Sequence, residues 1–479
     1  MKQILIVCYI VFVALTGRAQ TSSWTDATGA KFDFKITDPI NKYAKITSGN
    51  SVSGATVVTV PGIVPYNGDT YKVTEVAGLV TGVNSHYYFN GLKKIILSEN
   101  IKVIQSYSVN IAFDVEDVVF PSTLEVIQFQ GCSHLNSLKG VDLSHTNVRY
   151  IGEAAFNSNL SSISYIKLPQ TLRRIDFGMM GQANPPLKFL ELPERVDTLS
   201  YGTFNGLYAL EELSFTKPTP ALLYTSNPIN PSYGPYSPFT DLTNLRAIYV
   251  PIDATAAYEA EAYWSDGTDK YRERLPIGPS GYTTFYLENE NFKVPDGCTA
   301  YIITGVTPSG SITTPDNAIV KAFNAGKIIP KQTGFILQGT PNSTVVYQAN
   351  VTGIEEDVTG NLLVGTATER EISGAGYKYY VLSNSGDQGL GFYKQGTRGG
   401  ASIKLKAHRA GLRLNESIAR AKSFFIDFDA ARENANVAGI RNIGQEAEGR
   451  DNVIYDLQGR RVKNPTHGIY IINGKKVIK

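Results

Sequence analysis

Residues 138–180 read LKGVDLSHTNVRYIGEAAFNSNLSSISYIKLPQTLRRIDFGMM. One unit occurs twice in this stretch. LKGVDLS, from Leu138, returns as ISYIKLP from Ile163. Each start is followed by a second apolar pair, Val148 with Ile151 and then Leu172 with Ile175. The pattern extends both ways along the chain. It runs back through VEDVVFP from Val115 to LKKIILS from Leu92. It runs on through LKFLELP from Leu187 and LEELSFT from Leu210 to LRAIYVP from Leu245. Successive starts are 23, 23, 25, 24, 23 and 35 residues apart. Further second pairs are Ile101 with Ile104, Leu124 with Ile127 and Val196 with Leu199.

This spacing falls in the range of leucine-rich repeats. In L-x-x-I-x-L the fourth and sixth residues alternate with outward ones, which is strand periodicity. A strand this short is unstable alone. Stacking one unit on the next pairs the strands in parallel and merges their apolar sides into one core. The expected fold class is therefore mainly β: a leucine-rich-repeat solenoid of parallel strands with few short helices, followed by an antiparallel β-sandwich-like domain. The second part rests on residues 279–430, where runs such as TTFYL, AYIITGV, YKYYVLS and SFFIDF alternate with turn residues.

The proline-ended strand and the motif I-G-x-x-A-F, as in FPSTLEVI and YIGEAAF, resemble the BspA-like leucine-rich repeats of Bacteroidetes surface proteins. VVTVPGIVPYNGDTYKVTEVAG, residues 57–78, is similar to the usual opening of such an array. The resemblance covers about residues 24–278. It implies a cell-surface role in adhesion or host interaction. It also implies capped ends: two short strands around FDFKIT and YAKIT at the start, and an amphipathic helix over about residues 253–264 at the finish.

The expected domains are a signal peptide at 1–19, an N-terminal cap at 20–53, the solenoid with its C-terminal cap at 54–278, and the β-domain at 279–430. A linker at 431–450 and a hairpin-like segment at 451–479 complete the chain. Lys2 precedes twelve apolar residues, too few to span a bilayer of ~30 Å, and Gly17 and Ala19 set small residues before an expected cleavage after Ala19. Cys8 lies inside the apolar run, so no lipid anchor is expected. The last segment, VIYDLQGRRV then GIYIINGKKVIK, resembles a C-terminal sorting domain of Bacteroidetes secretion cargo, in a short form.

A net charge of +2 gives no footprint for nucleic acid. The five histidines form no H-E-x-x-H, and Cys132 with His134 has no second pair to complete a zinc site. No nucleophile elbow or phosphate loop occurs. No catalytic residue, metal or cofactor is expected, and the chain reads as a binding protein rather than an enzyme. Its expected partner is a host extracellular protein, mucin or another bacterial surface, met by a monomer without a transmembrane span. A carbohydrate-binding module and a purely structural surface protein are the alternatives.

Two surfaces are candidates. The outward columns of the repeat strands hold Tyr165, Lys167, Phe189, Glu191 and Tyr249. The insertion at residues 217–241, with six prolines, holds Tyr224, Tyr233 and Tyr236. Exposed aromatics dominate binding hot spots, and insertions in repeat arrays often map to the binding face.

Overall fold

The structure, a computed structural model, describes residues 21–50, 54–79, 91–110, 112–157, 162–181, 184–224, 237–310, 314–386, 389–419, 423–445, 454–456, 461–462, 469–472 and 475–478. The signal peptide, Tyr233 and Tyr236 lie outside them. The chain divides into two compact units. The first runs to Ile248 and takes back Glu261–Lys270. The second is Tyr249–Ala260 with the chain from Tyr271.

In the first unit each repeat supplies two strands, not one. The second apolar pairs build the longer ladder, Val103–Ile104, Val126–Ile127, Tyr150–Ile151, Arg174–Ile175, Thr198–Ser200 and Leu222–Tyr224, all parallel. Ile104, Ile127, Ile151, Ile175 and Leu199 stand in register and are fully buried. Each such side chain contributes ~1.5–3 kcal/mol by burial.

The L-x-x-I-x-L strands form a second ladder in separate pieces. Val57–Val60, Lys94–Leu97 and Asp117–Val119 make one, Gly140–Asp142 with Tyr165–Lys167 another, and Phe189–Leu192 with Glu212–Phe215 a third pairing. Their inward residues, among them Ile95, Val118, Val141, Ile166, Leu190 and Leu213, are buried as the alternation requires.

Two features of I-G-x-x-A-F have physical causes. A Cβ on Gly152 would fall 2.7 Å from the Gln128 carbonyl carbon and 2.8 Å from the Phe129 nitrogen, so glycine lets one turn lie against the backbone of the turn before it. Two residues on, Ala154 has a φ of 52°. The equivalent corner is left-handed in neighbouring units too, at Gln130, Gly178 and Gly202. The corner demands that conformation whatever residue occupies it.

The N-terminal cap holds three antiparallel strands, Thr21–Thr25, Lys31–Asp38 and Tyr43–Asn50. The expected two are joined by the first, whose Trp24 stacks on Phe32 with ring centroids 6.3 Å apart. At the other end the expected helix over about 253–264 is shorter. α1 spans only Thr255–Glu259, and Tyr263 is left-handed at φ 68°. A left-handed residue cannot continue a right-handed helix, so Tyr263 bars α1 from reaching Trp264. Buried Trp264 closes this end of the first unit. Its ring lies edge-on to Phe215 and Phe239, and its Nε1–H donates to the Ala221 carbonyl at 3.2 Å.

The second unit is built on a nine-stranded sheet. Its order is Tyr282–Phe285, Phe335–Gln338, Thr299–Thr307, Asp316–Phe323, Ser423–Ile426, Gly389–Tyr393, Tyr377–Gly386, Arg409–Asn415 and Leu363–Thr366. All neighbours are antiparallel except Asp316–Phe323 with Ser423–Ile426. The apolar runs read as strands pack into core clusters around Phe285, Phe292 and Phe335 and around Tyr301, Tyr380 and Phe424, with a smaller one of Tyr379, Ile403 and Leu405. α2, Phe428–Gln445, occupies most of the stretch read as a linker. Ala, Asn and Glu suit a helix as well as a coil, and Phe428 supplies the anchor by stacking on Tyr282 at 4.3 Å. Beyond it, four short antiparallel strands stand where a hairpin was expected: Arg461–Val462, Ile454–Tyr455, Ile469–Ile472 and Lys475–Ile478.

Candidate functional site

Within the first unit the second ladder changes sheet twice, after Asp117–Val119 and after Tyr165–Lys167, and the second step also lacks the bond that otherwise joins repeat starts among the described residues. The N–H following each repeat's first residue donates to the equivalent carbonyl one repeat back. Glu116 bonds Lys93 at 2.8 Å, Lys139 bonds Glu116 at 3.1 Å, Ser164 bonds Lys139 at 3.0 Å and Glu211 bonds Lys188 at 2.9 Å. Among the described residues no such bond joins the Lys188 N–H to the Ser164 carbonyl, and the strands Tyr165–Lys167 and Phe189–Leu192 belong to different sheets. Pro185 and Pro186 stand immediately before Leu187, a pair that precedes no other repeat start. They fix the chain's approach to the strand and bring no N–H of their own.

A cleft of about 460 Å³ lies at this break. Tyr165, Lys167, Phe189 and Glu191 line it together with Ser164, Gln170 and Lys188. Tyr165 and Phe189 are 46% and 43% exposed, which makes them apolar contacts ready for a partner. The ring of Tyr165 rests over Gly140, its cross-strand neighbour. Lys167 sits 5.5 Å from that ring's centroid and pairs with Asp142 at 3.0 Å. The Ser144 hydroxyl first, then Lys167, pull the Asp142 carboxyl down to about 2. Lys188 pairs with Glu211 at 2.8 Å. Glu191 makes no ion pair among the described residues, so the cleft carries an uncompensated carboxylate beside two compensated lysines.

Four of the sequence candidates thus meet in one place. Ser164, Gln170 and Lys188 were missed, since only the break in the ladder distinguishes them. Tyr224 is elsewhere, on the other ladder. Its hydroxyl and that of Tyr150 both donate to buried Asp176, and its ring faces the Arg174 guanidinium at 4.5 Å. Burial first, then the Asp176 charge, push both phenols up. That network fixes Tyr224 within the fold. Tyr249 does not line the cleft, and the Arg274 guanidinium lies 3.3 Å from its ring centroid.

Residues 81–211 match the protein family described as BspA type Leucine rich repeat region, in six copies. The matched BspA-type repeats include every residue that lines the cleft. They account for less than half of the chain. A search of curated proteins found no match. Among solved structures, one similar chain is a leucine rich cell surface protein from Faecalibacterium prausnitzii A2-165, at 16% identity and a TM-score of 0.31, covering 49% of this chain and 71% of that one. Another is the pneumococcal vaccine antigen PcpA, at 13% identity and a TM-score of 0.29, covering 48% and 72%. A third is a leucine-rich repeat protein from Bacteroides ovatus ATCC 8483, at 11% identity and a TM-score of 0.19, covering 46% and 71%.

The described residues contain no group of three or more His, Cys, Asp or Glu placed to hold a metal ion. His134 Nδ1 lies 3.1 Å from Asn110 Oδ1, and Cys132 is buried. In the second unit Glu273 and Glu290 are both fully buried. Glu273 accepts from the Tyr347 hydroxyl at 2.5 Å, the Thr255 hydroxyl at 2.8 Å and the Asp253 N–H at 2.9 Å. Glu290 accepts from the Ala256 N–H at 2.6 Å. Burial first, then the Glu273 charge, hold the Glu290 carboxyl far above the ordinary range, so it stays protonated at neutral pH. These two acids tie the backbone around α1 and serve the fold. No helix among the described residues is long and apolar enough to cross a membrane.

Proposed function

We propose that this chain is an exported cell-surface protein that binds a protein ligand through the cleft between the strands Tyr165–Lys167 and Phe189–Leu192. The observation that carries this reading is the pair of exposed aromatic rings, Tyr165 and Phe189, at the step of the ladder that lacks its repeat-start bond among the described residues. Repeat solenoids present extended surfaces of this kind to partners. Aromatic anchors set among charged and polar side chains supply most of the energy of such interfaces. The apolar run behind Lys2 supports export, and the BspA-type repeats support a surface role. The partner class is a host extracellular protein, mucin or another bacterial surface, met by a monomer. The chain acts by binding and not by catalysis.

Solid-phase binding of the chain from Gln20 to matrix proteins, mucins and bacterial surface fractions tests this reading. Saturable binding is expected. The double variant Tyr165→Ala with Phe189→Ala should weaken it about tenfold or more, since each truncated hot-spot ring costs ~2 kcal/mol. Binding untouched by that variant, but lost when residues 217–241 are shortened, would move the site to the insertion.

A further inference from the structure

A second cleft, of about 420 Å³, lies within the second unit. It does not depend on the repeat-face reading. Three parts of the chain far apart in sequence meet there: the strand Tyr282–Phe285, the strand Tyr377–Gly386 and residues 404–410. Arg409 bridges the seam. Its Nη1 donates to the Thr283 hydroxyl at 2.8 Å and the Thr284 carbonyl at 3.0 Å, while the Ala410 N–H donates to the Thr284 hydroxyl at 3.2 Å.

The charge of this cleft is one-sided. Lys404, Lys406 and Arg409 line it, and its lining holds no Asp or Glu. Lys404 pairs with Glu369 at 2.5 Å, and the charge of Lys406 also acts on that carboxylate, which is not part of the lining. Arg409 and Lys406 make no ion pair among the described residues. Burial alone weakens Arg409's hold on its proton, and no neighbouring carboxylate offsets it. A guanidinium keeps its charge even so. A partly desolvated cation without a counter-ion costs stability until an anion arrives.

The rest of the lining is polar and holds its shape. The Gln395 side chain is engaged at both ends, accepting from the Lys404 N–H at 2.6 Å and donating to the Lys404 carbonyl at 3.1 Å. Ser383, whose hydroxyl lies 2.8 Å from that of Ser385 and accepts from the Ser385 N–H at 3.2 Å, completes one wall with Asn384, and Leu382 and Leu390 give it a small apolar patch. Pockets for small ligands run ~300–1,000 Å³, and this cleft falls in that range with a lining more polar than most.

We propose that this cleft binds a small sugar carrying an oxyanion, a carboxylate or a sulfate ester, with Arg409 and Lys406 on the anionic group and Ser383 and Asn384 on the hydroxyls. The two-pronged guanidinium fork can donate in parallel to two oxygens of a carboxylate or of a tetrahedral sulfate.

Calorimetry on the chain from Gln20 tests the proposal with four probes: glucuronic acid, galactose 6-sulfate, glucose and acetate. One or both acidic sugars should bind, glucose should not, and acetate should bind about tenfold more weakly or not at all. Arg409→Gln and Lys406→Glu should each weaken the acidic sugar about tenfold. Lys406 is exposed, so its variant keeps the fold and decides the matter if Arg409→Gln does not fold. Failure of both acidic sugars to bind overturns the proposal, as does binding unaffected by Lys406→Glu. Glucose binding as well as glucuronic acid would overturn the anionic part. Acetate binding as well would overturn the sugar part.

Discussion

Tyr165 owes its position to Gly140. A Cβ at Gly140 would fall 2.2 Å from the Tyr165 ring, but that ring is exposed and free to swing away. Gly140→Ala should therefore change stability by less than about 1 kcal/mol while moving an anchor of the proposed site. Melting temperature and ligand binding, measured together, check this: the first should hold and the second fall. Gly152→Ala should do the reverse. There the obstacle is the backbone of Gln128 and Phe129, which cannot step aside, and a loss of about 1–3 kcal/mol or more is expected. Glu290 gives a third test at this scale. The charges of Glu273 and Asp253 and the Tyr347 phenol act on it in a buried site, and its folded carboxyl is raised above its unfolded value. Unfolding then releases its proton, so folded stability falls as pH climbs from the ordinary carboxylate value of 4.5 toward the raised one. Glu290→Gln keeps the acceptor for Ala256 and has no proton to lose. The gap in melting temperature between pH 5 and pH 8 should shrink in the variant, and an unchanged gap would mean that Glu290 is ionised in the fold.

Among elements, what holds a repeat in place is its inward column and not its surface charge. Leu190 and Leu213 are fully buried on paired strands. Leu190→Ala should cost ~2–5 kcal/mol by transfer and cavity. Glu211 bridges Lys188 at 2.8 Å and Arg246 at 3.3 Å, but the lysine and arginine are 62% and 77% exposed. Exposed pairs contribute little, so Glu211→Gln should leave the melting temperature almost unmoved. α2 follows the same logic. Its few apolar residues leave one ring, Phe428, to seat it against Tyr282 and Tyr301. Phe428→Ala should cost ~3–5 kcal/mol and loosen the helix, read as lost amide protection over residues 428–445.

At the scale of the whole molecule, the described residues of each unit include one buried free thiol, Cys132 in the first and Cys298 in the second. Burial pushes both thiols up, which keeps them protonated and unreactive. Alkylation of the native chain should label neither. In rising denaturant each should react as its own unit opens, so mapping the labelled peptide separates the unfolding of one unit from the other. Reaction of either thiol in the native chain would contradict its burial.

Much of the first unit was legible in the sequence, because a repeat writes its period directly into the chain. Inward residues such as Ile151 and Ile175 recur at fixed spacing, and the glycine of I-G-x-x-A-F, Gly152, marks the close turn of its own repeat. Alternation likewise put Tyr165, Lys167, Phe189 and Glu191 on the outer face. That these four share a cleft was decided by a missing rung in the ladder, a matter of backbone geometry between repeats to which residue spacing is blind. The helix at 428–445 was hidden for a different reason. Its composition is neutral between coil and helix, and the contact of Phe428 with Tyr282 tips it, across a gap of well over a hundred residues. Arg409 lies equally far from Thr283 in sequence. Local pattern fixes periodicity and facing, because those follow from neighbours along the chain. Which distant edges close on one another, and which charges they strand, follows only from the packed whole.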